Sequence, residues 1–295
     1  LMRHADQAMY VAKQGGRNRY HMFDSERDRQ VRAHREQLSR LQAALTAGEF
    51  ELHYQPKVDM RRGQPIGAEA LIRWRHPERG LLPPGEFLPL VEESDFAVPL
   101  GEWVIRTALA QMQSWHGAGI HLPVSVNVSA RQLQASDFVD RLAALLAAFP
   151  DLPPAWLEIE IVETTALEDI QYVGQVISRC VDLGVSFALD DFGTGYSSLT
   201  YFKRLPASHL KIDQSFVRDM LVDPEDLAIV EGVVGLARAF QRQVIAEGVE
   251  TAEHGARLLA MGCDLAQGYG ISRPLPAEQI PAWVRAYRPP LLWQS

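Results

Sequence analysis

Val185-Ser186-Phe187-Ala188-Leu189-Asp190-Asp191-Phe192-Gly193-Thr194-Gly195 is an apolar run that closes on two adjacent carboxylates and a glycine-rich turn. Its length suits a buried strand, with the polar end placed where the chain leaves the sheet. Outward from this run the same pattern repeats. Strands are predicted near 51–57, 66–73, 123–128, 156–162, 185–190, 208–212, 243–247 and 264–266. Amphipathic helices at 98–117, 129–148, 166–180, 224–240 and 251–261 occupy most of the gaps. Ser129 with Gln132 forms a capping-box pattern, and Thr251 suits an N-cap. Strands alternating with helices predict an α/β fold, either a closed (β/α)8 TIM-like barrel or a large doubly wound sheet. The first strand runs almost directly into the second across a glycine-containing turn, so that pair is predicted antiparallel to each other.

Size and charge narrow the function. The chain has 295 residues, enough for one barrel of roughly 250 residues plus an appendage. A net charge of −8 argues against a surface that grips long nucleic acid, which needs a basic stripe. Two cysteines, Cys180 and Cys263, stand at no ligand-like spacing, which points to a reducing, cytoplasmic setting. No stretch of about 18 apolar residues is present, so no membrane contact is expected of this fragment, although a longer parent could carry an anchor.

A barrel collects its chemistry at the C-terminal ends of its strands. Polar residues interrupt the apolar runs at Glu69, Asn127, Glu160, Asp190, Asp191, Lys211, Glu247 and Gln267. One such residue is ordinarily a hydrogen-bonded structural group. Five carboxylates converging on one mouth would repel one another and push their pKa values up unless cations neutralised them. The candidate ligands are all oxygen donors, which selects Mg²⁺ or Mn²⁺ over zinc. Asp190 and Asp191 point to opposite faces on a regular strand, so both reach one site only if the backbone turns there; Phe192-Gly193-Thr194-Gly195 would supply that turn. No lysine follows at P-loop spacing, so the glycines do not read as a phosphate loop.

These residues resemble the EAL domain of cyclic di-GMP phosphodiesterases, over essentially 38–288. Glu69-Ala70-Leu71-Ile72-Arg73-Trp74 is similar to the naming motif, and Asn127-Val128-Ser129-Ala130 to the third-strand motif. The run from Asp190 to Leu199 resembles the sixth loop, and Leu210-Lys211-Ile212-Asp213, Ala246-Glu247-Gly248-Val249-Glu250 and Gln267-Gly268-Tyr269 resemble the last three strand ends. The resemblance implies hydrolysis of one phosphodiester of cyclic di-GMP to linear pGpG with two Mg²⁺ or Mn²⁺ ions, Ca²⁺ being expected to inhibit. It implies Glu69, Asn127, Glu160 and Asp190 at the first ion, and Asp190 and Asp191 at the second, with Glu247 at or beside it. Lys211 would orient the attacking water and Glu247 would be the general base. Gln55, Arg73, Gln267, Tyr269 and Pro274 would meet the substrate. Glu163 would pin the sixth loop, whose region would form a homodimer contact. One departure is Val162, where the family's fourth-strand motif, Glu-x-Thr-Glu, carries threonine; a modest effect on loop positioning is expected.

The N-terminus reads differently. The stretch Ala5-Asp6-Gln7-Ala8-Met9-Tyr10, continuing through Ala12-Lys13 to Gly16-Arg17-Asn18-Arg19-Tyr20, resembles the C-terminal tail of a GGDEF diguanylate cyclase domain, without its signature loop. The expected organisation is a GGDEF remnant at 1–24, a helical linker at 25–37, the EAL barrel at 38–288 and a tail at 289–295. An upstream GGDEF domain is expected in the parent protein. The arginines between Arg27 and Arg40 alternate with acids and suit a solvated helix face, the histidines suit the surface, and Trp74, Trp103 and Trp115 suit the core. Two alternatives stand beside hydrolysis. One is a catalytically silent cyclic di-GMP receptor, although such domains typically lack a metal-site carboxylate. The other is an unrelated Mg²⁺-dependent barrel hydrolase.

Overall fold

The computed structural model describes residues 25–163, 170–194 and 205–294. The tail assigned to a GGDEF remnant and most of the sixth loop, including its expected dimer contact, lie outside the described residues. Two compact units divide at Ala47/Gly48. In the first, α1 (Ser25–Ala47) is one continuous helix, so no break falls at residue 37.

In the second unit, ten strands form one sheet among the described residues. They are β1 (Phe50–Asp59), β2 (Gln64–His76), β3 (Gly80–Leu82), β4 (Val124–Asn127), β5 (Leu157–Val162), β6 (Ser186–Phe192), β7 (His209–Ile212), β8 (Gln243–Ala246), β9 (Leu265–Ala266) and β10 (Leu275–Pro276). Eight of them close a barrel in the order β1-β2-β4-β5-β6-β7-β8-β9, with β9 returning to β1. β1 is antiparallel to both neighbours, and every other adjacent pair in the ring is parallel. The closed barrel with an antiparallel first strand is thus the observed architecture, and the doubly wound sheet is excluded by the β1–β2 and β1–β9 pairings. β3 and β10 are short additions flanking β2 and β1.

Helices α2 (Ala97–Gly117), α3 (Phe138–Ala147), α4 (Ile170–Asp182), α5 (Gln214–Asp219), α6 (Pro224–Ala239), α7 (Ala252–Met261) and α8 (Ile280–Ala286) connect and cover the strands. The helix predicted over 129–148 is broken into a single turn, Ala130–Leu133, and α3. Ser129 Oγ accepts from the Gln132 backbone N–H, as its cap position requires. The Gln132 side chain does not complete the capping box; it fills the space beside Gly101 of α2, where a Cβ would lie 1.9 Å from its Oε1. Thr251 caps α7 by accepting from His254 N–H. Trp74 and Trp115 are buried, while Trp103 is half-buried with its ring 6.0 Å from that of Phe50.

Between strands and helices lies the apolar layer that makes the barrel stable. Val124, Val126, Leu157, Ile159, Ile161, Leu189, Leu210 and Ile212 are essentially inaccessible. Their strand neighbours alternate inward, which leaves the barrel interior to polar side chains. Among the described residues no helix is long and apolar enough to cross a membrane.

Candidate metal and phosphodiester site

The parallel register sets the mouth. Gln55 stands opposite Glu69, Glu69 opposite Ser125, and Asn127 opposite Glu160. Ser125 and Asn127 lie two positions apart on β4, so Ser125 points into the deeper interior, while Gln55, Glu69, Asn127 and Glu160 point inward nearer the mouth. Glu69, Glu160 and Asp190 bring one carboxylate oxygen each within 4.8 Å of one another, and Asp190, Asp191 and Glu247 do the same. Asp190 belongs to both groups.

The adjacent aspartates converge for a reason the sequence expectation placed too late. β6 does not end at Asp190 but runs to Phe192, and its pairing with β7 skips between Leu189 and Phe192. Asp191 sits in that bulge with φ 54°, a left-handed conformation rare for a side-chain-bearing residue. The bulge, rather than the following glycines, swings Asp191 to the same side as Asp190. Gly193 continues the turn, and its N–H donates to Glu163 Oε2 at 3.1 Å, tying the start of the sixth loop to the end of β5. Val162 keeps its place in β5 opposite Asp190.

Lys211, fully buried, is the cation at the centre. Its Nζ lies 2.6 Å from Glu160 Oε2, 2.6 Å from Glu247 Oε1, 3.0 Å from Asp190 Oδ2 and 3.6 Å from Glu69 Oε2. Burial alone would favour its neutral form, yet Glu160, Glu247, Glu69 and Asp190 outweigh burial and hold its pKa well above the usual lysine value. The acids respond unequally. Burial, with Glu160 and Asp190 beside it, pushes Glu69 up to about 7. Burial and the Asp190 charge push Asp191 up to about 6. Glu247 is raised well above the carboxylate range by burial, in spite of Lys211. Glu160 is lowered, because Lys211 and Lys57 overcome the cost of its burial. The raised values of Glu69, Asp191 and Glu247 are what crowding of five acids around Lys211 produces when no further cations share the site.

The amides at the mouth are also ordered. Asn127 Nδ2 donates to Glu69 Oε1 at 2.7 Å, which leaves the Asn127 carbonyl oxygen available to a cation. Gln267 Nε2 donates to Gln55 Oε1 at 2.9 Å and to Glu69 Oε2 at 2.7 Å, and Gln55 Nε2 donates to the Ser272 carbonyl. Above them opens a cavity of about 550 Å³ whose walls include Gln55, Arg73, Gln267, Tyr269 and Pro274, with Glu69, Asp190 and Glu247 on its floor. Tyr269 stands half exposed at the rim with the Arg273 guanidinium 4.3 Å over its ring.

A deeper polar layer went unread in the sequence. Lys57 Nζ reaches Glu158 Oε1 at 2.6 Å, Ser125 Oγ at 3.0 Å and Glu160 Oε1 at 3.3 Å, and His209 Nδ1 lies 2.6 Å from Glu158 Oε2. Each of these lies two positions from a residue already singled out: Lys57 from Gln55, Ser125 from Asn127, Glu158 from Glu160, His209 from Lys211. The period of two along a strand was the available signal.

Known proteins are similar to this chain in both sequence and fold. The EAL domain model matches residues 38–274. The chain belongs to the EAL-domain family. It is 43% identical over 285 residues to the bifunctional diguanylate cyclase/cyclic di-GMP phosphodiesterase MucR of Pseudomonas aeruginosa, covering 96% of this chain and 42% of that protein. It is 40% identical over 289 residues to the cyclic di-GMP phosphodiesterase PdeR of Escherichia coli, covering 97% of this chain and 43% of that protein. The EAL chain thus spans less than half the length of these relatives. A solved structure, the PaMucR phosphodiesterase in complex with c-di-GMP, superposes with a TM-score of 0.80 at 43% identity, covering 83% of this chain and 99% of that one.

Proposed function

We propose that this EAL domain hydrolyses one phosphodiester bond of cyclic di-GMP to linear pGpG. The observation that carries this reading is Asp190, common to two carboxylate groups on the floor of a cavity large enough for a nucleotide. The relatives named for this activity support it.

The donor set suits two hard divalent cations, Mg²⁺ or Mn²⁺. Glu69, Asn127, Glu160 and Asp190 would hold one, and Asp190 and Asp191 the other with Glu247 at or beside it. When bound, such ions acidify a water and absorb charge on the phosphoryl oxygens. Lys211 orients the attacking water from below, and Glu247 accepts its proton. Arg73 meets the phosphate from the rim, while Gln55, Gln267, Tyr269 and Pro274 line the path of the substrate. Glu163, through Gly193 N–H, keeps the sixth loop in register with the aspartates. A homodimer through the sixth-loop region, a parent protein with an upstream GGDEF domain, and a cytoplasmic location complete the reading.

Incubation of the purified protein with cyclic di-GMP and Mn²⁺, followed by chromatography of the products, tests it. Appearance of pGpG supports hydrolysis. Binding of cyclic di-GMP without turnover would instead make the domain a receptor.

A further inference from the structure

Lys57 does not face the substrate cavity, yet it is fully buried and charged. An ammonium inside a barrel is costly unless acids neutralise it and its stem has room. Both conditions are built in. Gly67 stands directly opposite in the β1–β2 register, where even a Cβ would make only ordinary contact with the Lys57 stem, 3.6 Å from Cε, the tighter approach being 3.0 Å to the Pro123 carbonyl oxygen. Ser125 and Glu158 then fix the ammonium from two further strands.

The result is a column of hydrogen bonds and ion pairs across the barrel interior. His209 meets Glu158, Glu158 meets Lys57, Lys57 meets Glu160, and Glu160 meets Lys211. Glu160 is the buried pivot of that column, with one oxygen toward Lys57 and the other toward Lys211 and the mouth. A carboxylate with one oxygen engaged from beneath loses its freedom to rotate. The second oxygen is then presented in a fixed direction.

We propose that Lys57, anchored by Glu158, is a positioning residue for cation binding: it clamps Glu160 Oε1 so that Oε2 faces the metal site. The inference rests on the reading of Glu160 as a metal ligand. Partners of this kind, which orient a ligand without touching the ion, commonly contribute 10–100-fold to metal affinity.

Removing Lys57 alone would leave Glu158 and Glu160 with an uncompensated charge, which itself attracts cations and obscures the geometric effect. The decisive variant is therefore the charge-neutral double replacement Lys57→Met/Glu158→Gln. Mn²⁺ binding is measured by electron paramagnetic resonance on the intact protein without substrate, and hydrolysis is followed across a Mn²⁺ titration. The expected result is a Mn²⁺ dissociation constant at least tenfold weaker, with kcat at saturating Mn²⁺ and KM for cyclic di-GMP each within about threefold of wild type. A folded double variant that binds Mn²⁺ within twofold of wild type would overturn the proposal, as would a wild type that binds no Mn²⁺. If the double variant fails to fold, Lys57→Gln/Glu158→Gln, which keeps polar groups beside Ser125 and His209, is read by the same criteria. Wild-type protein that binds Mn²⁺ but forms no pGpG would refute the hydrolase reading and leave the Lys57 test intact.

Discussion

Lys211 Nζ lies 2.6 Å from Glu247 Oε1, at the ends of adjacent strands β7 and β8, with Glu247 on the cavity floor and Lys211 buried behind it. The ammonium is shared among four carboxylates, so its removal changes the centre of the site while leaving the rim residues in place. Lys211→Ala is expected to lower kcat by at least 100-fold with KM within about threefold, because the loss falls on the transition state. Glu247→Gln keeps shape and an oxygen donor but removes the charge, and the same split is expected. Steady-state kinetics on both variants checks this; equal losses in binding and rate would make the residue a substrate clamp.

Glu69 and Asp190 crowd other acids around a single lysine. Glu69→Ala or Asp190→Ala is expected to abolish hydrolysis while the barrel stays folded. In metal-free buffer near pH 8 the melting temperature should match or exceed wild type, since one source of like-charge repulsion is gone. Thermal denaturation and the pGpG assay together decide it, and wild-type turnover in either variant would remove these residues from the metal site.

Ca²⁺ tolerates irregular, higher coordination, whereas Mg²⁺ and Mn²⁺ demand near-octahedral geometry. Two carboxylate groups sharing Asp190 leave little latitude in spacing. Cyclic di-GMP is expected to bind in Ca²⁺, with cleavage at least tenfold slower than in Mg²⁺. Calorimetric binding beside initial rates tests this, and equal rates with the two ions would contradict it.

Val162 has its side chain partly exposed, and the contact that ties the loop runs through Glu163. Val162→Thr is therefore expected to change kcat by less than about threefold. Glu163→Gln, which weakens a charge-assisted bond to Gly193 N–H, should lower kcat several-fold with little change in melting temperature. Comparing the two rates directly shows which residue of the fourth-strand motif matters.

Gly268 abuts the backbone of Val249, where a Cβ would sit 2.3 Å from both the nitrogen and the oxygen. No rotamer change relieves a clash with main chain. Gly268→Ala is expected to destabilise the fold by about 2 kcal/mol or more, seen as a lower urea midpoint. An unchanged midpoint would mean that the chain segments there separate easily.

The alternation of strands and helices, the antiparallel first pair and the strand-end acids were legible in the sequence. They are local consequences of hydrophobic period and of where apolar runs stop. The break in the helix expected over 129–148 was not, and neither was the seating of the Gln132 side chain beside Gly101, thirty-one positions away. Nor was the bulge that turns Asp191 inward, since it arises from the mismatch of β6 against β7. Lys57 is the clearest case. As one lysine in an apolar strand it carried no message, and its meaning depends on Glu158, 101 positions later, and on closure of the barrel bringing β1 and β5 to face each other. Periodicity determines which way a side chain points; only the closed ring determines what it meets there, because pairing across a barrel interior depends on stagger and depth that no single strand encodes.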